Sequence, residues 1–165
     1  MIHIPLLRAG RPYKSLETAP LKHFRDDEPV AVVSQANTGV IAKDLAQAES
    51  HRRRLQEIPI KELLNICSRA ADYFMNAELP IDGAMQSPNE YVQQLSATTG
   101  MPHALCRNNM EKIRRVLAEM PEILHGLMHG LDLEILDSGW IVRNESLLSF
   151  FCQANALGAI LPSNS

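Results

Sequence analysis

The chain has 165 residues, 45% of them hydrophobic and 21% charged, with a formal net charge of −3. That length and apolar content suit one domain with a real core and argue against a disordered chain, and the mildly acidic balance gives no reason to expect nucleic acid or an anionic membrane as a partner. No apolar run is long enough to span a membrane, residues 1–8 make a poor secretory leader, and the three widely spaced cysteines (Cys67, Cys106 and Cys152) imply free thiols in a reducing, cytoplasmic compartment.

Residues 1–20 carry Pro5, Pro12 and Pro20 with little periodicity. They read as an extended arm with one short strand near residues 13–16. The β-prone runs 21–24 and 30–33 flank Arg25-Asp26-Asp27-Glu28-Pro29 and predict a hairpin, so residues 1–36 form an arm and strands. Asn37 or Thr38 can cap a helix over residues 40–56, with Ile41, Leu45 and Ala48 on one face. Its end carries His51-Arg52-Arg53-Arg54. No aromatic or glycine-rich segment accompanies that run, so it reads as a solvated helix end that suits the negative pole of the dipole.

The strongest periodic signal follows Pro59. Ile60, Leu63, Leu64, Cys67, Ala70, Ala71, Phe74 and Met75 repeat at i, i+3, i+4 and i+7 over four turns, with Lys61, Glu62, Asn65, Arg69 and Asp72 opposite. Cys67 lies inside the stripe and reads as a small core residue, not a nucleophile. Pro80, Asp82 and Gly83 mark a loop. Ser87-Pro88-Asn89-Glu90 is a capping box opening a helix with Tyr91, Val92 and Leu95 on its apolar side, and Gly100 can end it. Pro102 can start a further helix with Cys106, Met110, Ile113, Leu117 and Met120 aligned, which Pro121 breaks or restarts. Glu122, His125 and His129 fall at i, i+3 and i+7, but Gly126 and Gly130 loosen that piece and no fourth ligand is in sight, so no metal site is predicted. Residues 37–130 are therefore a helical region.

Trp140-Ile141-Val142 and the run 147–152 flank Arg143-Asn144-Glu145-Ser146 and predict a hairpin with a four-residue loop, within residues 139–156. Trp140 serves equally well as a core residue or as an interface anchor. Residues 157–161 are a short apolar run containing Gly158 and ending before Pro162, which fits a buried strand that a ligand could approach closely. No GxGxxG segment occurs.

Leu157-Gly158-Ala159-Ile160-Leu161-Pro162-Ser163-Asn164 resembles the strand and Pro-aromatic-Asn loop of the aldehyde dehydrogenase superfamily, with Ser163 where many members carry Trp. The serine form is more similar to a divergent branch that includes acyl-CoA reductases. The opening strands (the pattern from Gly10 through Asp44, including Glu28-Pro29-Val30-Ala31-Val32-Val33), the helix after Ile58-Pro59, the turn Ala97-Thr98-Thr99-Gly100-Met101-Pro102 and the 139–156 hairpin follow in the family's order. The resemblance implies an α/β fold: the helix-rich N-terminal portion of an aldehyde dehydrogenase-like protein, a single incomplete domain whose residues 157–165 begin a cofactor-domain sheet. It implies that Asn164 donates to the oxyanion and that Ile160, Leu161, Pro162 and Ser163 line the cleft for NAD or NADP. The parent reaction would be oxidation of an aldehyde, or its acyl-CoA counterpart run reductively. The hairpin would join subunits of a homo-oligomer, and the remainder of the parent protein would be a partner. The family's catalytic Cys and general-base Glu have no counterpart here, so the chain alone is expected to be inactive and to hold no cofactor. The competing expectation is a non-catalytic helical module for interaction or oligomerisation.

Overall fold

The run Pro29-Val30-Ala31-Val32-Val33-Ser34 combines β-branched side chains with small ones, and it becomes the centre of the largest sheet. In a computed structural model of the protein, which describes residues 1–150, 154 and 156–159, nine short strands and seven helices come in successive blocks among the described residues, a mixed α/β fold. Strands β1 (Ile2–Ile4), β4 (Thr18–Lys22) and β5 (Pro29–Ser34) form a three-stranded sheet in the order β1-β5-β4. The β4–β5 pair is the expected hairpin with its first strand lying at 18–22 rather than 21–24, Leu21 opposite Ala31 and a register shift before Lys22. Strand β1 runs parallel to β5, with His3 opposite Val32. Strands β2 (Leu6–Arg8) and β3 (Arg11–Tyr13) make a separate hairpin. Residues 1–20 are thus not an extended arm with one strand near 13–16. Their strands are three residues long, and β1 is held by a partner nearly thirty positions away, which no local pattern reports. The Pro12 ring is tolerated because a two-stranded hairpin leaves its missing donor at an edge.

The helix expected over 40–56 is two helices, α1 (Thr38–Leu45) and α2 (Ala48–Gln56). Asn37 does cap the first, its Oδ1 accepting from the Val40 N–H at 3.0 Å. At the break the Gln47 N–H donates to the Asp44 carbonyl, one residue short of the α-helical partner. No Gly or Pro marks the spot, so periodicity alone runs through it.

Helix α3 (Ile60–Asn76) follows the predicted stripe. Ala71 is buried and Ile60, Leu63, Leu64, Cys67, Ala70, Phe74 and Met75 are half-buried, while Lys61, Glu62, Asn65, Arg69 and Asp72 are exposed. After the β6 (Leu79–Ile81) and β7 (Ala84–Gln86) hairpin comes α4 (Pro88–Thr99). It has both halves of the capping box: Glu90 N–H donates to Ser87 Oγ at 3.2 Å, and Ser87 N–H donates to Glu90 Oε2 at 2.8 Å. Gly100 closes α4 in the left-handed region, with φ of 74°. A Cβ there would also lie 2.9 Å from the Phe24 ring, so the glycine meets two requirements at once. Helix α5 (His103–Ala118) lays Cys106 and Met110 against Val92, with Phe74, Met75, Tyr91, Leu95 and Met101 around them. The Phe74 and Tyr91 rings meet edge to face at 5.6 Å. This is the core. Ile113, expected on the same face, is 45% exposed. Helix α4 also touches β4 and β5, and the Phe24 N–H donates to the Ala97 carbonyl at 2.9 Å, tying sheet to helices.

Pro121 restarts the chain as α6 (Met120–Leu127), and α7 (Ile135–Ser138) follows. His129 lies beyond the end of α6 at a positive φ of 52°, so Glu122, His125 and His129 share no helix face. Among the described residues no group of three His, Cys, Asp or Glu could hold a metal. Strands β8 (Trp140–Arg143) and β9 (Ser146–Ser149) form the predicted hairpin with a tighter turn than expected. Arg143 pairs with Ser146, and only Asn144 and Glu145 turn, at φ of 50° and 64°. Two successive positive φ values give the twist that matches the strands.

Candidate functional site

Asn164, predicted to donate to an oxyanion, lies outside the described residues, as do Ile160, Leu161, Pro162, Ser163 and Cys152. The described backbone leading toward them covers three of the five residues expected to form a buried strand. Leu157, Gly158 and Ala159 are in no strand, and Leu157 is 96% exposed. A buried strand needs neighbours on both sides, and none of the described strands pairs with these residues.

Ala154, Ala156 and Leu157 instead line one side of an open trough of about 680 Å³. Its other wall is the apolar side of α1 and α2: Ile41, Leu45, Ala48 and Leu55. Neither helix has a buried residue, and Ile41, Leu45 and Leu55 are 48%, 57% and 55% exposed. On the far side of Leu55 a second trough, about 750 Å³, lies between α2 and the β8–β9 hairpin, with Leu136, Trp140, Leu147 and Phe150 in its lining. Arg52 borders both and His51 the first. The run at 51–54 is therefore not wholly a solvated helix end, because two of its members edge an apolar surface.

The position of α1 is set from the N-terminal strands. Arg8 donates to Asp44 in a two-pronged contact, Nη2 to Oδ1 at 2.6 Å and Nε to Oδ2 at 2.8 Å. Its guanidinium also stands 4.6 Å over the Tyr13 ring. This fork geometry is the strongest form of charge-assisted pairing. The Arg8 hydrogen bond holds the Asp44 carboxyl below the ordinary carboxylate range, so Asp44 is a fixed anion at neutral pH and not a proton acceptor. The described thiols do not line the trough. Cys106 is fully buried, its Sγ–H directed at the Met101 carbonyl at 3.7 Å, and Cys67 lies half-buried in the α3 stripe.

A second polar constellation escaped the sequence reading. Ser34 Oγ, on a residue 2% exposed, lies 2.8 Å from His3 Nε2 and accepts from the Ser15 N–H at 3.0 Å. With a lone pair committed to Ser15, the hydroxyl proton is available to the imidazole. The pair clips β1 to β5, and its burial keeps the hydroxyl from reaching a substrate. On the other side of His3, its backbone N–H donates to Asp82 Oδ2 at 2.9 Å, and Asp82 pairs with Lys14. These groups border a cleft of about 690 Å³ walled by Pro5, Leu7, Pro12, Pro80 and Ile81. The Asp82-Gly83 dipeptide was a usable signal for the tip of a tight hairpin. Nothing local signals its contact with His3, 79 positions away.

No helix among the described residues is long and apolar enough to cross a membrane. No family model, curated protein or solved structure matches the chain.

Proposed function

We propose that this chain is the N-terminal portion of an aldehyde dehydrogenase-like enzyme of a reducing, cytoplasmic compartment, acting with NAD or NADP on aldehyde or acyl groups. Asn164 is the oxyanion donor in this reading, and Ile160, Leu161, Pro162 and Ser163 line the cofactor cleft. The observation that carries it is the trough. The backbone leading into Pro162-Ser163-Asn164 borders a concave apolar wall on α1 and α2. A preorganised amide beside a reacting carbonyl stabilises the tetrahedral oxyanion, and removing one such donor costs about 10²–10³ in kcat. The nucleophile and the base that admits water must come from elsewhere, because covalent aldehyde oxidation needs both.

Three measurements test this. Reading the coding sequence past codon 165 should show an open frame supplying a cofactor domain, a Cys and a Glu; in the enzyme so encoded, Asn164→Ala should lower kcat about 10²–10³-fold. A frame without them, or an Asn164→Ala enzyme with unchanged kcat, sinks the reading. The purified 165-residue chain should form no NADH from aldehydes.

A second reading, an interaction module, rests on a different observation. Trp140, Val142 and Leu147 are 56%, 59% and 67% exposed on a hairpin of only two strands. A lone hairpin with apolar faces is marginal in water until something covers it. Light scattering should find the chain self-associated, and Leu147→Ser should reduce that association; a stable monomer at all concentrations counts against it.

A further inference from the structure

The trough between the α1–α2 pair and residues 154–157 joins an apolar lining to charges of one sign. Ile41 and Leu45 come from α1, Ala48 and Leu55 from α2, and the three larger side chains are about half exposed. Ala48, Ala154 and Ala156 contribute only methyl groups, which leaves room among the branched side chains for a slender occupant. Apolar surface held open to water is unfavourable, and an apolar molecule that covers it removes that cost.

Asp44 is the carboxylate among the described residues that line this trough, and Arg8 already holds it in the two-pronged contact. Its charge is thereby answered. His51 and Arg52 line the same trough, about one helical turn before Leu55. Arg53, by contrast, is paired with Glu49. A guanidinium has five donors in a rigid fork, so a contact made with some of them leaves others to receive an anion. The polar border therefore favours negative charge, in a chain whose overall charge is −3. An apolar bed with a cationic border is complementary to a molecule that is apolar along its length and anionic at one end.

Size selects among such molecules. The volume, about 680 Å³, falls in the range of small-molecule sites, ~300–1,000 Å³. An amphipathic helix of a partner is ~10–12 Å across and needs a long straight face. Helices α1 and α2 give eight and nine residues with a break between them. A polymethylene chain is thinner and bends at every bond, so it can follow such a face. We infer that the α1–α2 trough binds a free, single-chain aliphatic carboxylate, its tail along Ile41, Leu45, Ala48 and Leu55 and its carboxylate at Arg52 and His51. The site is the trough that carries the enzymatic reading, but it does not rest on that reading: holding the amphiphile needs neither Asn164 nor a cofactor, and a coding frame without a cofactor domain would leave it standing.

The test titrates the purified 165-residue chain with dodecanoate, hexanoate and dodecyltrimethylammonium, each kept below micelle formation, and reads backbone amide shifts by NMR. Dodecanoate should give saturable shifts in α1 and α2 and bind at least about thirtyfold tighter than hexanoate. It should also bind at least about fivefold tighter than dodecyltrimethylammonium, which has the same tail and the opposite head. Arg52→Gln should weaken dodecanoate at least about fivefold without weakening dodecyltrimethylammonium. Leu45→Ser should weaken both at least about threefold. Absence of saturable shifts, equal affinity for the two heads, shifts centred on the β8–β9 hairpin, or an Arg52→Gln chain that binds dodecanoate like the parent each overturns the inference. Anionic phospholipid vesicles are the remaining arm: α1–α2 shifts produced by vesicles and not by monomeric dodecanoate make this a membrane-facing surface and overturn it as well. Protected α4 and α5 amides show that a variant is folded. If Arg52→Gln loses them, the comparison of heads on the parent chain decides alone.

Discussion

Helices α3, α4 and α5 and helices α1 and α2 are both amphipathic, yet they end in different situations. The first three close on one another, so that Val92, Cys106 and Met110 are almost fully removed from water. The α1–α2 pair carries Ile41, Leu45 and Leu55 at spacings just as apolar and leaves all three about half exposed. The difference teaches that an apolar stripe becomes core only when another stripe of matching length is brought against it. For α3 that partner is α5, delivered by the short β6–β7 and 100–102 connections. For α1 and α2 the described chain offers only open troughs, walled opposite by Ala154, Ala156 and Leu157 and by the β8–β9 hairpin.

The comparison can be broken most sharply by truncating one residue from each region. Met110→Ala should destabilise the chain by about 2–5 kcal/mol, whereas Leu55→Ala should cost about 0.5 kcal/mol or less, read as urea midpoints. Equal effects would mean that α2 is buried in solution against something, and the contrast between the regions would vanish. Gly100→Ala comes next, at about 1–3 kcal/mol. It combines a left-handed φ of 74° with a Cβ 2.9 Å from the Phe24 ring, and Phe24→Ala in the same chain should recover only the steric part. Ser87→Ala should cost about 1 kcal/mol through loss of the α4 cap. A value near zero would show that α4 is held by packing alone.

The smallest effect concerns the tether of α1. Asp44 has its carboxyl held below the ordinary value by Arg8. A depressed carboxylate contributes stability that is fully present above its unfolded pKa and is lost as pH falls through the folded one. Acid should therefore loosen the α1 amides before it reaches the α3–α5 core. Asp44→Asn should remove that acid-dependent step and leave the neutral-pH urea midpoint little changed, because the Asp44 side chain is itself exposed and solvent screens the pair. Hydrogen exchange at α1, followed as pH falls from neutrality through and below the ordinary carboxylate range, checks this.

Much of the inner structure was legible residue by residue. The α3 stripe, the Ser87–Glu90 box and the Gly100 stop each depend on neighbours within four positions, where helical geometry makes spacing sufficient. The β4–β5 hairpin was legible for the same reason, since two β-prone runs flank one polar turn. Residues 1–20 were not, because strand β1 is defined by its pairing with Ala31, Val32 and Val33. The candidate site divides in the same way. The run ending at Asn164 is a local string that suggested a family; the trough beside its approach required α1, α2 and residues 154–157 to be seen together. Leu157, Gly158 and Ala159 stand in no strand, because an apolar run reports what a segment could pair with, not whether the partner is present.

By itself the sequence determined helices α3, α4 and α5, the caps at Asn37, Ser87 and Gly100, and the β4–β5 and β8–β9 hairpins, since all are set by contacts along a few consecutive residues. Only the tertiary structure decided the rest. It supplied Asp137 as the acceptor for the Ile60 N–H at the start of α3 at 2.8 Å, Arg8 as the tether of Asp44, and Asp82 as the cover of His3. These partners lie from 36 to 79 positions apart. No propensity encodes such a distance; it is set when the packed helices and the sheet fix where each chain segment must pass.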